Sequence, residues 1–247
     1  MNRNLLLLLV IILGLANTGA GEMTKNDSIK MKAIDEMLKK HPHFTDILSF
    51  EESPIKGLYE VVMGDNIIYW SNDGYMIFGE MFSKEGKSIS RDKRQKILNM
   101  KLSRVPLEKA IKIGSGKNIV VEFVDPDCPF CRTLNDFFEK RNDVTRYVYL
   151  FPLTQLHKDS ANKVAYILSA KDRVLAHNEV FAGKHDNPKL PKQSEESNKL
   201  VNDCLDLART VGVSGTPVLW VNGTYVNGAD MQRIAALLKG EGEVKKL

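Results

Sequence analysis

Apolar positions recur along this chain at two spacings, one helical and one alternating. Residues 28 to 40 place Ile29, Met31, Ile34, Met37 and Leu38 at near-helical intervals, and Asp27 or Ser28 is suited to cap that helix. His41-Pro42-His43 ends it and reads as a surface turn. From Pro54 the rhythm shortens to strands: Gly57-Leu58-Tyr59-Glu60-Val61-Val62, Asn66-Ile67-Ile68-Tyr69-Trp70 and Tyr75-Met76-Ile77-Phe78-Gly79. Between the last two lies Ser71-Asn72-Asp73-Gly74, whose Asp-Gly pair is a hairpin signal. One helix and a sheet this small bury too little surface to stand alone, so a second copy is expected to pair with them. Residues 88 to 104 read as a polar helix with Ile97, Leu98, Met100 and Leu102 as its apolar positions, closed by Pro106. Such a helix between two patterned regions is a candidate linker.

A second patterned region starts near Val105. Gly114-Ser115-Gly116-Lys117 looks like part of a phosphate loop, but Ile111 stands where the first glycine belongs and Asn118 where Ser or Thr is needed. A turn before a strand is the better reading, and Ile119-Val120-Val121-Glu122-Phe123-Val124 supplies the strand. The next helix carries Phe130, Leu134, Phe137 and Phe138 at i, i+4, i+7 and i+8, a core-facing stripe. Arg146 to Phe151 reads as a strand, and residues 158 to 182 and 194 to 211 as mostly helical. Val218-Leu219-Trp220-Val221 turns at Asn222-Gly223 into Thr224-Tyr225-Val226, and Met231 to Lys239 closes the pattern with Ile234, Leu237 and Leu238 inward. Strand, helix, strand, helical insert, hairpin, helix is the order of a thioredoxin fold with a helical insertion. The expected class is therefore α/β: a thioredoxin-like domain over 106–247, preceded by a small α+β dimerisation domain over 21–86 and a linker helix over 87–105.

The start of the chain adds a compartment. Arg3, the apolar run Leu5 to Leu15 and the small residues Thr18-Gly19-Ala20 have the order of an export signal over residues 1–20. A retained anchor is the competing reading, but the run is shorter than the roughly 20 residues a bilayer span needs. The formal charge of +4 becomes +3 once Arg3 is removed. Basic and acidic residues interleave, as in Arg91-Asp92-Lys93-Arg94-Gln95-Lys96, so a solvated helix face is read in preference to a nucleic-acid surface. Three cysteines are too few for a disulfide-held secreted scaffold. Cys204, within a helical pattern, reads as a small buried hydrophobe.

The other two cysteines carry the chemistry. Cys128-Pro129-Phe130-Cys131 stands where the strand gives way to the helix. Residues three apart on a helix share a face, and their Cα atoms then reach the ~5.5 Å a disulfide prefers. At a helix start, free backbone N–H groups and the positive dipole end favour a thiolate, and comparable sites lower a cysteine pKa from ~8.5 to between ~3.5 and ~7. Cys128 is thus the expected nucleophile and Cys131 the resolving thiol, with Pro129 and Phe130 tuning the redox potential. Half of a zinc site is the alternative for a lone Cys-x-x-Cys, but no second such pair exists, and neither a metal nor an external cofactor is expected. Gly215-Thr216-Pro217 opens a strand with proline; with the cysteine motif upstream it suits a cis bond that frees the Thr216 backbone to pair with substrate, making Thr216 and Pro217 candidate substrate-binding residues.

Asp125-x-x-Cys128-Pro129-Phe130-Cys131 and Val213-Ser214-Gly215-Thr216-Pro217 resemble the DsbC/DsbG family of periplasmic thiol:disulfide isomerases. Ser53-Pro54-Ile55-Lys56-Gly57-Leu58-Tyr59-Glu60-Val61 and Trp70-Ser71-Asn72-Asp73-Gly74 resemble that family's N-terminal dimerisation domain, and 88–104 its linker helix. The resemblance implies a V-shaped homodimer in the periplasm. It implies isomerase or reductase action on exported proteins with non-native disulfides, chaperone-like activity, and a membrane thiol reductase of the DsbD type that keeps the site reduced. A dithiol oxidase, a reductase dedicated to one envelope partner and a chaperone-like binding module are the alternatives. The Pro-Phe pair is nearer to the Pro-Tyr of the DsbG branch than to the Gly-Tyr of the DsbC branch. The resemblance places Ser169 at one position of a structural disulfide found in some relatives and Cys204 at neither, so Cys204 is expected to be free.

Overall fold

The computed structural model describes residues 25–44, 47–187 and 190–241, and the expected export signal lies outside them. Two compact units divide between Arg94 and Gln95.

In the first unit, helix α1 (Lys25–Lys40) is followed by strands β1 (Ile47–Glu52), β2 (Leu58–Met63), β3 (Asn66–Ser71) and β4 (Met76–Phe78). They form one sheet in the order β1-β2-β3-β4, antiparallel throughout. Strand β1 is absent from the sequence expectation. Its Leu48 is half exposed and its last two residues are acidic, so its alternation is weak, and pairing with β2 makes it a strand. Asp27 and Ser28 lie inside α1 and not at its cap. Ala33, Ile34 and Met37 of α1 pack with Phe50, Tyr59, Val61, Ile68 and Trp70 to form the core. At Asp73-Gly74 the hairpin closes as expected, with Gly74 at a φ of 84° and Ser71 N donating to Tyr75 O at 2.9 Å. Strand β4 ends the sheet with an apolar edge: Tyr75, Ile77 and Phe78 are all largely exposed, and so is Phe82 beyond it.

Helix α2 (Ile89–Met100) continues into a 3₁₀ segment, Lys101–Arg104. Within the first unit, Ser90 is buried and its Oγ accepts from Met81 N at 2.7 Å and meets Tyr69 Oη at 2.6 Å. Within the second unit, Trp220 Nε1 donates to Leu98 O at 2.9 Å and Tyr225 N donates to Asn99 Oδ1 at 2.8 Å.

The second unit holds a five-stranded sheet built from β5 (Ile111–Ile113), β6 (Asn118–Val124), β7 (Val144–Leu150), β8 (Val218–Val221) and β9 (Thr224–Asn227), in the order β5-β7-β6-β8-β9. Strands β6 and β7 run parallel; the other pairings are antiparallel. Helix α3 (Pro129–Glu139) follows β6, and α4 (Ser160–Ser169), α5 (Arg173–Phe181) and α6 (Glu195–Val211) lie between β7 and β8. Helix α7 (Met231–Lys239) ends the described fold. Val120, Leu219 and Val221 pack against Leu134 and Phe138 of α3 and Ile234, Leu237 and Leu238 of α7. Val121, Phe123, Tyr149 and Trp220 pack against Ala208 and Val211 of α6.

The helical pattern over 158–182 is two helices. Ala170 is extended, and the Asp172 carboxylate accepts from Leu175 N at 2.9 Å to cap a new helix, so the chain turns there. The glycines of the abandoned phosphate-loop pattern have a packing role. A Cβ on Gly116 would sit 1.9 Å from the carbonyl carbon of Asp143, so only glycine lets this turn lie on the chain entering β7. No described helix is long and apolar enough to cross a membrane.

Candidate active site

Strand β6 is buried nearly throughout and ends at Val124. The chain then turns through Asp125-Pro126-Asp127 and enters α3 with Cys128 at the N-cap and Pro129 as the first helical residue. Pro129 suits that place, since its fixed φ fits the helix and its missing N–H would have no intrahelical partner. The inward row of α3 is Cys131, Leu134, Asn135 and Phe138, at i, i+3, i+4 and i+7. Phe130 lies one residue off that row in the first turn and is 67% exposed, which corrects its expected place in the core stripe.

The two sulfurs occupy contrasting surroundings. Both are free thiols, Cys128 at 5% and Cys131 at 1% exposure. The Cys131 thiol is the strongest influence drawing the Cys128 pKa down to about 5; the backbone N–H groups of Cys131 and Phe130 and the Thr216 side chain act in the same direction, against the cost of burial. Burial above all, then the hydrogen bond to the Cys128 sulfur and that sulfur's charge, pushes the Cys131 thiol far above the ordinary range. One sulfur is thus an anion at neutral pH and the other keeps its proton, the division of labour that attack and later resolution require.

Thr216 and Pro217 stand opposite. Their peptide bond is cis, and the Cys128 thiol points to Thr216 O at 3.8 Å. Thr216 Oγ1 is buried beside the sulfurs. All six residues singled out from the sequence lie in this one unit: Cys128, Pro129, Phe130 and Cys131 at the start of α3, and Thr216 and Pro217 just before β8.

Sequence reasoning gave no role to the ionisable residues behind the motif. Asp125 is wholly buried and receives four contacts: from Asp127 N at 2.7 Å, Ser160 Oγ at 2.8 Å, Leu153 N at 2.6 Å and His157 Nδ1 at 3.0 Å. Its backbone touches both cysteines, accepting from Cys128 N at 3.1 Å and donating to Cys131 Sγ at 3.4 Å. Glu122, equally buried, takes Arg146 Nε at 2.7 Å, and Arg146 Nη1 reaches Asn135 Oδ1 at 2.9 Å, one helical turn beyond Cys131. An acid inside an apolar run was the available signal for Glu122. Cys204, expected to be buried, is a free thiol only partly buried in α6, packed against the core from one side, with its pKa raised to about 11 chiefly by desolvation. Among the described residues no group of three His, Cys, Asp or Glu side chains is placed to hold a metal ion.

Comparison with known proteins gives consistent findings for both units. Residues 24–91 match the family described as the disulfide bond isomerase protein N-terminal domain, and residues 106–239 match the thioredoxin-like domain family. The thiol:disulfide interchange protein DsbC of Haemophilus influenzae is 30% identical over 192 residues, covering 74% of this chain and 81% of that protein. The probable thiol:disulfide interchange protein DsbC of Bordetella pertussis is 26% identical over 206 residues, covering 80% of this chain and 70% of that one. A linker-deletion mutant of Proteus mirabilis ScsC superposes with a TM-score of 0.51 at 17% identity, covering 92% of this chain and 98% of that chain, a likeness of fold.

Proposed function

This chain belongs to the DsbC family of thiol:disulfide interchange proteins, and we propose that it rearranges or reduces wrong disulfides in exported proteins through Cys128 and Cys131. The observation that carries this reading is the split in acidity between two sulfurs one helical turn apart, with Cys128 lowered to about 5 and Cys131 raised by burial.

In the first step the Cys128 thiolate attacks one sulfur of a substrate disulfide. A Cys128–substrate bond forms, the substrate S–S bond breaks, and the electron pair leaves on the other substrate sulfur as a thiolate. Isomerisation follows when another substrate thiolate attacks the mixed disulfide and expels Cys128, so that no net electrons change hands. Reduction follows when Cys131 loses its proton and attacks Cys128 Sγ; the substrate leaves reduced by two electrons and Cys128–Cys131 closes as a disulfide. Pro129 and Phe130 set the potential of that pair, while the Thr216 backbone before Pro217 pairs with the extended substrate beside the sulfur.

The wider assignment is of the same kind. Residues 1–20 export the chain to the periplasm, 21–86 pair two copies, 87–105 link, and 106–247 carry the chemistry. The match to the isomerase N-terminal domain and the exposed apolar edge at β4 support the homodimer, since a bare apolar strand edge invites a partner strand. A membrane thiol reductase of the DsbD type returns Cys128–Cys131 to the dithiol after each reductive turnover.

Incubation of the reduced protein with a scrambled-disulfide enzyme is the test. Recovery of that enzyme's activity is expected, with none from Cys128→Ala; equal recovery from both would refute the site. Thiol trapping in cells checks direction: a reduced pair fits this reading, and a largely oxidised pair would make the protein an oxidase.

A further inference from the structure

Four ionisable side chains meet beside the Cys128 loop, and the steps above use none of them. The Asp127 carboxylate, one residue before Cys128, accepts from Lys163 Nζ at 2.5 Å and from Arg132 Nη2 at 3.2 Å. Asp186 accepts from Arg132 Nη1 at 2.5 Å and Nη2 at 2.8 Å and pairs with Lys163 Nζ as well. Arg132 Nε is fixed on Pro126 O at 2.7 Å. Lys163 lies in α4 and is only 5% exposed, and Asp186 lies in the turn after α5, so the helical insertion supplies half of the cluster. Two cations and two carboxylates leave it neutral. Arg132 first, then Lys163, hold Asp186 well below the usual carboxylate range.

An ammonium buried this far is retained only against the cost of desolvating it. Its position supplies a reason. A bare carboxylate on the residue bonded to Cys128 would oppose a second negative charge on the adjacent sulfur. We propose that Lys163 is a positioning residue for thiol exchange: with Arg132, and held in place by Asp186, it neutralises Asp127, so that the Cys128 sulfur keeps its nucleophilic form. This rests on the assignment of Cys128 as the attacking sulfur. The other ionisable groups around the loop are Cys131 on α3, and Asp125 at the end of β6 with His157 from the segment after β7; all three stay constant in the variants below.

The test is a pH titration of thiolate absorbance in the reduced full-length protein. Lys163→Met is expected to raise the Cys128 midpoint and lower the thiolate fraction below it by about three- to tenfold, the size of one uncompensated nearby charge. Lys163→Arg keeps the charge and is expected to titrate like wild type. Asp127→Asn is expected to lower the midpoint, and Asp127→Asn in the Lys163→Met background to bring it back to within about twofold of wild type in the same fraction. A Lys163→Met midpoint equal to wild type, or a shift that Asp127→Asn does not reverse, would overturn the proposal. Should Lys163→Met fail to fold, Asp127→Asn alone decides, and an unmoved midpoint counts against it. A thiolate titration that persists in Cys128→Ser would instead sink the Cys128 assignment itself.

Discussion

Cys128 and Cys131 are the same residue type three positions apart, and their surroundings drive them in opposite directions. The Cys128 pKa falls from 9.0 to about 5, so the folded reduced protein gains stability from its thiolate. A depressed pKa has a definite sign. Relative to Cys128→Ser, that advantage is complete above the ordinary thiol pKa of 9.0, shrinks as pH falls and is gone below about 5. Denaturant titrations of both reduced proteins across this range are expected to converge at the acid end. Alkylation of Cys128 is expected to be nearly pH-independent between neutrality and about 6, and to slow about tenfold per unit below 5. Buried Glu122 and Arg146 are a second case. Arg146→Met leaves the Glu122 carboxylate buried without its cation and is expected to cost about 3–5 kcal/mol in chemical denaturation. The cysteines were legible because their spacing is local. Arg146 and Lys163 were not, since their partners lie far away in sequence and only the parallel β6–β7 pairing and the insertion bring them together.

Elements with their own punctuation could be read directly. Asn222 and Gly223 both have positive φ, 49° and 84°, as a two-residue hairpin turn demands, and the β8–β9 pair follows. Strand β1 and the break between α4 and α5 escaped, because one depends on its neighbour's ladder and the other on a single capping carboxylate. Glycines at the β5–β6 turn carried a signal whose meaning required tertiary structure. Gly116→Ala would drive a Cβ to 1.9 Å from Asp143 C and 2.0 Å from Val144 N, both backbone atoms. Thermal and denaturant unfolding are expected to show a loss of about 2 kcal/mol or more. Gly79→Ala, with nothing within 4 Å of its added carbon, is expected to stay within about 0.5 kcal/mol of wild type.

At the scale of the whole molecule, one unit carries the sulfurs and the other carries an exposed strand edge. The plan was legible because helical and strand rhythms alternate differently on the two sides of the 88–104 helix. Phe78, 70% exposed on β4, is the residue through which pairing can be tested. Phe78→Glu is expected to sediment as a monomer, to go on reducing a small disulfide, and to lose most of its ability to repair a scrambled protein. A variant that stays dimeric, or a monomer that repairs as well as wild type, would detach the edge from that activity. Asp127 and Arg132 travel with the Cys-Pro-Phe-Cys segment, but Lys163 and Asp186 belong to the insertion. Grafting residues 125–132 onto a scaffold without that insertion would transfer both thiols but strip Asp127 and Arg132 of their Lys163 and Asp186 partners, so the four-residue motif is not a portable cassette.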